Sequence, residues 1–205
     1  MDDNKIKICD KVPKFYNNLK LTEKKIWDSL TQGVIDRRSF FHTPTLGTVN
    51  RDNKVKIRTL VLREVSKKNL YLRFHTDIRS KKINEIKSNS SSTVHIYDPI
   101  QKIQIQMIGI SSLCSDEDSI EKIWKNMNIS SKACYRLIAQ PGETIKNISE
   151  ANYPLSCDPL EGKSNFSIIF FKIVNIEWLY LSSRGHRRSL YDYSGALVKA
   201  KWLAP

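Results

Sequence analysis

The sequence predicts a mainly β, antiparallel fold closed into a barrel, with helices at its periphery. Three observations carry that prediction. Short stretches of period-two alternation, such as Ile103, Ile105 and Met107 against Gln104 and Gln106, recur along the chain between turn residues. Several of these stretches follow one another in close succession, the spacing of an antiparallel meander. A chain of 205 residues, with hydrophobic types at 40% and charged types at 27%, can bury one substantial core, so residues 1–205 are expected to form a single domain.

Taken in order, Leu21 to Arg38 is the first element. Thr22 is a candidate N-cap, and Ile26, Trp27, Leu30 and Val34 recur at helical spacing, which predicts an amphipathic helix lying across the barrel. Thr45 to Asn50 and Val55 to Glu64 flank Arg51-Asp52-Asn53 and read as a hairpin, and Leu70 to His75 adds a third strand. Ser80 to Lys87 reads as a short helix capped by Ser80, with Ile83 and Ile86 inward. Ser92 to Tyr97 and Ile103 to Leu113 are strands about the turn Asp98-Pro99, with Gly109 marking a bend or bulge. Residues 115–164 form a helical and loop insertion, helical to about Ala139 with a break near Asn128, then irregular through Pro141, Gly142, Pro154, Pro159 and Gly162. Strands return at Phe166 to Ile173, Ile176 to Leu181, around Arg187 to Tyr191, and Val198 to Leu203.

Composition narrows the function classes. No apolar run approaches the roughly 20 residues of a membrane span, and the start Met1-Asp2-Asp3-Asn4-Lys5 lacks the apolar core of a secretory signal, so a cytoplasmic protein without membrane attachment is expected. Cys9, Cys114, Cys134 and Cys157 stand far apart without metal-ligand spacing, which predicts reduced thiols and no metal site. The net charge of +13 favours anionic partners. It does not choose among a phosphorylated cofactor, nucleic acid and a membrane surface, but its lysines are spread along the whole chain and not gathered in one tract, so a nucleic-acid role is the weaker reading.

The chemistry concentrates in Arg58-Thr59-Leu60-Val61-Leu62-Arg63 and, after a turn, His75-Thr76 through Ser80-Lys81-Lys82. Cations flank a short apolar strand and recur at a helix start, where free N–H groups and the helix dipole already favour an anion. On a regular strand Arg58 and Arg63, at odd separation, face opposite sides. Both contribute to one ligand only if the strand bulges or the ligand wraps its edge.

These segments resemble the pyridoxamine 5′-phosphate oxidase family, whose split β-barrels bind FMN. The resemblance implies an antiparallel, Greek-key-like FMN-binding split β-barrel, a homodimer with flavin sites at its interface, and an oxidoreductase acting on a small molecule. It implies cofactor contacts from Arg58, Thr59, Leu60, Val61, Arg63, His75, Thr76, Ser80, Lys81 and Lys82. Gln104, which opens a Gln-x-x-x-x-Gly motif ending at Gly109, Gln140, Trp178 and Arg188 are implied as further flavin contacts, with Gln104, Trp178 and Arg188 coming from the partner subunit. Arg184 and His186 fall on the family's substrate-positioning Arg and His. The family's substrate-phosphate Tyr and Arg have no counterpart in Ile123 to Ser131, so a substrate other than pyridoxamine 5′-phosphate is expected. Authentic pyridoxamine or pyridoxine 5′-phosphate oxidation, haem or deazaflavin binding on the same fold, and nucleic-acid binding remain as alternatives.

Overall fold

The computed structural model describes residues 13–156 and 158–205. Cys9, Cys157 and the polar start at Met1 lie outside the described residues. Helix α1 (Leu19–Ile35) begins earlier than expected, because the Asn18 side chain accepts from the Leu21 N–H and caps it. Thr22 is buried within the helix, where its hydroxyl donates to the Phe15 carbonyl at 2.9 Å. Ile26, Trp27 and Leu30 form the face that enters the core.

Among the described residues nine strands make one sheet: β1 (Thr45–Val49), β2 (Val55–Thr59), β3 (Leu62–Ser66), β4 (Tyr71–Asp77), β5 (Ser91–Asp98), β6 (Ile103–Leu113), β7 (Phe166–Tyr180), β8 (Arg187–Asp192) and β9 (Lys199–Leu203). The hydrogen-bonded path is β2-β1-β5-β6-β7-β4-β3, with β8 paired to β7 and β9 to β8. Every pairing is antiparallel.

The sheet is not closed, which corrects the Greek-key-like split β-barrel expected from the sequence. β2 and β3 end the path at opposite edges and do not pair, although only Leu60 and Val61 separate them. The Leu60 N–H donates to the Pro44 carbonyl and the Leu62 N–H to that of His42, so these two donors are taken by the segment before β1 and form no rung between the edges. The same link divides the expected strand Val55 to Glu64. What reads as one meander is therefore two hairpins, β1-β2 and β3-β4, on opposite edges.

Two expected C-terminal strands are one, the 15-residue β7. Its bulge leaves Val174 without a cross-strand partner on β6, between the pairs Ile108↔Asn175 and Gly109↔Ile173. A Cβ on Gly109 would stand 2.0 Å from the Lys172 carbonyl oxygen, so only glycine fits there. One edge of β7 carries β4 along residues 166–172 and then β8 along residues 175–180.

Helix α2 (Lys81–Ser88) buries Ile83 and Ile86. Helix α3 (Glu117–Lys125), helix α4 (Ile129–Lys132) and the 3₁₀ turn Ala133–Arg136 follow β6, and Trp124 and Tyr135 from this region pack with Phe166 and Ile168 as a second apolar cluster. Ile169 and Phe171 of β7 face the main core, so the start of β7 is covered on both faces and buried without alternation. Each such aromatic contributes roughly 2–3 kcal/mol by burial. No helix among the described residues is long and apolar enough to cross a membrane.

Candidate functional site

Arg58 ties β2 to α2. Its guanidinium donates to the Glu85 carboxylate (2.7 Å) and the Thr48 hydroxyl (2.5 Å), and that hydroxyl donates to the same Glu85 oxygen (2.5 Å). The Glu85 side chain is only 9% exposed, and a carboxylate so buried needs these donors. At the helix start, Lys82 Nζ donates to Thr76 Oγ1 (3.0 Å) and Ser80 Oγ (2.9 Å) and has no carboxylate at ion-pair distance among the described residues. Burial, and then the neighbouring Arg58 charge, hold the Lys82 ammonium below the ordinary lysine range. Ser80, expected as a side-chain cap, instead donates to the Asp77 carbonyl at 2.6 Å. Lys81 is exposed, as is Thr59. An anion at this place would meet a half-buried ammonium, two hydroxyls and the first N–H groups of α2, a donor set suited to a phosphate monoester.

Thr76 and His75 face opposite sides of β4. A cleft of about 460 Å³ is lined by Leu60, His75, Thr76, Tyr135, Gln140 and Pro141, among others, a size that takes a cofactor ring. Val61 in the β2–β3 link is half-buried. His75 also lines a second cleft, of about 430 Å³, between β4 and α3. Its ring packs edge-on against Phe166 at 5.0 Å, and both ring nitrogens are buried without a hydrogen-bond partner among the described residues. Burial, then the Arg63 and Arg73 charges, push its pKa down to about 3, so the imidazole is neutral at physiological pH. Arg63 thus acts on the His75 side of the structure and Arg58 on the α2 side.

Gln104, Leu179 and Arg188 stand in one cross-strand row over β6, β7 and β8. Arg188 pairs with Glu177 at 2.6 Å. Trp178 points the other way and is fully buried, edge-on to Phe15 at 5.9 Å and stacked with Tyr180 at 6.0 Å, its Nε1 without a partner. Arg184 and His186 lie in the exposed loop between β7 and β8, where the Ser182 N–H donates to His186 Nδ1 at 3.1 Å. Along β7 the His75 row meets Ile168 and the Arg188 row meets Leu179. At roughly 3.3 Å per residue that is about 35 Å of strand. One chain therefore brings Arg58, Thr76, Ser80 and Lys82 together and sets Leu60, His75, Thr76 and Gln140 around one cleft, while Gln104 and Arg188 flank Leu179 far along the sheet.

Residues 24–115 match the family model described as pyridoxamine 5′-phosphate oxidase, FMN-binding domain. This stretch contains Arg58 to Arg63, His75 to Lys82, and Gln104 to Gly109. That stretch is similar to the FMN-binding domain of the pyridoxamine 5′-phosphate oxidase family. Its fold is that of a pyridoxamine 5′-phosphate oxidase-related, FMN binding protein from Nostoc punctiforme PCC 73102, at a TM-score of 0.75, 22% identity, and coverage of 95% of this chain and 99% of that one. PhzG from Burkholderia lata 383, solved in complex with tetrahydrophenazine-1-carboxylic acid, is similar at a TM-score of 0.74 and 19% identity, covering 96% and 98%. No curated protein sequence matches the chain significantly.

Three residues at these sites escape a reading by motif: Thr48, Glu85 and Arg73. Period-two alternation does place Arg73 beside His75 on one face of its strand. Thr48 and Glu85 meet Arg58 only through the packing of α2 under β1 and β2, which no local pattern records.

Proposed function

We propose that this protein is an FMN-binding flavoprotein and an oxidoreductase acting on a small molecule as a homodimer. The observation that carries the cofactor reading is Lys82, a half-buried ammonium held among the described residues by the Thr76 and Ser80 hydroxyls at the start of α2, beside Arg58. A half-desolvated cation with no direct ion pair among the described residues fits a phosphate monoester. Lys82, Thr76, Ser80 and Arg58 would hold the phosphate, with Lys81 at the rim. Thr59, Leu60 and Val61 would supply backbone and apolar contacts, and His75 and Gln140 would flank the ring. Bound FMN supplies hydride acceptance and donation.

The dimer is supported by two features of the same sheet face. Gln104 and Arg188 lie too far along β7 from His75 to reach one flavin in the same chain, and a partner subunit would bring them. That face also exposes large apolar side chains: Ile57 is 72% exposed and Ile108 46%, and the register Ile57↔Gly47↔Thr93↔Ile108 places them in one row. Trp178 would act from beneath this face as packing. Arg184 and His186 are proposed to position substrate. Because His186 Nδ1 accepts from the Ser182 N–H, the neutral ring carries its proton on Nε2.

Purified protein is expected to be yellow and to release FMN, not FAD, on denaturation. Lys82→Ala should weaken FMN binding by about one to two orders of magnitude, the loss of a charge-assisted bond of roughly 1.5–3 kcal/mol. A colourless protein that takes up no FMN at micromolar concentration overturns the reading. Light scattering that finds a flavin-saturated monomer overturns the dimer.

A further inference from the structure

The cleft between β4 and α3 has a chemistry of its own. Ser119, Lys122, Ile123 and Asn126 fall at i, i+3, i+4 and i+7, one face of α3 and its C-cap, and Met127 follows. Opposite them stand Arg73 and His75 of β4. Among the described residues no Asp or Glu lines the cleft. The nearest partner of Arg73 is Glu64, at 3.0 Å, which also accepts from the Tyr71 hydroxyl. The Nε atoms of Arg63 and Arg73 are buried without partners among the described residues.

We infer that this cleft binds the substrate as an organic monoanion, an apolar body carrying one carboxylate. The charges present match one negative charge: a guanidinium shared with Glu64, an exposed ammonium at the rim, and an imidazole that contributes one N–H but no charge. Ser119 and Asn126 add neutral donors. Ile123 and Met127 offer an apolar wall, and methionine adapts to the shape of an apolar body. A dianionic phosphate would bring more charge than this set neutralises. Since His75 lines both this cleft and the one proposed for the flavin ring, a molecule seated here lies beside the cofactor. The word substrate rests on the flavoprotein reading; binding of the anion does not.

The test is titration calorimetry of FMN-loaded and FMN-free protein with 2-naphthoate, 2-naphthamide and 2-naphthyl phosphate. The carboxylate should bind at least tenfold more tightly than the amide or the phosphate, and should perturb the flavin absorbance of the loaded protein. Arg73→Met should weaken naphthoate binding at least tenfold while FMN affinity stays within twofold. Lys122→Glu, an exposed change that leaves the core intact, should do the same and leave the amide unaffected. Equal binding of acid and amide, tighter binding of the phosphate, or full affinity in both variants overturns the inference. Naphthoate bound without a change in the flavin spectrum overturns its assignment as substrate. Naphthoate binding to a protein that takes up no FMN would uphold the anion site and overturn the flavin reading alone.

Discussion

Replacing Arg58 separates what this residue does for the fold from what it does for a cofactor. The Glu85 side chain is 9% exposed and that of Arg58 20%, and Glu85 Oε2 accepts from both Arg58 and Thr48. Arg58→Ala leaves the carboxylate with the Thr48 hydroxyl alone. Breaking a buried pair by removing one partner costs about 3–5 kcal/mol, and the partial exposure of Arg58 lowers the expectation to about 2–4 kcal/mol. The double variant Arg58→Met, Glu85→Leu removes both charges and should lose no more than about 1.5 kcal/mol, since an apolar pair of similar volume replaces the ion pair. Urea unfolding without flavin measures both numbers, and the cycle isolates their coupling. FMN titration of the same proteins is expected to show a loss of about one to two orders of magnitude in each, because neither retains the cation. A double variant as unstable as Arg58→Ala would refute the account of the buried pair. A double variant with full FMN affinity would refute the role of Arg58 at the phosphate.

Acid should destabilise the protein through His75. Its imidazole titrates near 3 when folded and near 6.5 when unfolded, so the unfolded chain binds the extra proton between those values. The stability associated with neutral His75 is therefore complete above about pH 6.5 and falls by on the order of 3 kcal/mol by pH 4. His75→Phe, which keeps the ring against Phe166, should flatten that slope in urea unfolding between pH 4 and 7; an unchanged slope would count against the assignment. Gly109→Ala should cost at least about 2–3 kcal/mol, because the methyl meets the Lys172 carbonyl and the main chain of the bulge must move; a melting temperature equal to wild type would refute the close approach. Oxidation of pyridoxamine 5′-phosphate should be weak or absent, since Ile123 and Met127 present apolar side chains in the Ile123 to Ser131 region where the family places its substrate-phosphate residues; turnover at a micromolar KM would contradict this.

What the sequence determined by itself is local or carried by motif. Alternation located the strands Ser92 to Tyr97 and Ile103 to Leu113 close to β5 and β6, because period two reports which faces a strand presents. Helical spacing found the buried face of α1 and the inward Ile83 and Ile86 of α2. The residues Arg58 to Arg63 and His75 to Lys82 pointed to the family, and they lie within the stretch that matches it. The tertiary structure alone decided which strands are neighbours. An unbroken strand-like segment, Val55 to Glu64, cannot announce that Leu60 and Leu62 will give their N–H groups to Pro44 and His42 and leave the sheet open. Nor can it show that this break sends Arg58 to Glu85 and Arg63 to the His75 side. Trp178 reads as a flavin contact in sequence, yet its register with Ile105 and Ser189 turns the indole into the core, while Gln104 and Arg188 share the outer face. Pairing register is a non-local property, settled by which face buries the larger apolar area, and a single-residue difference in it reverses every side chain.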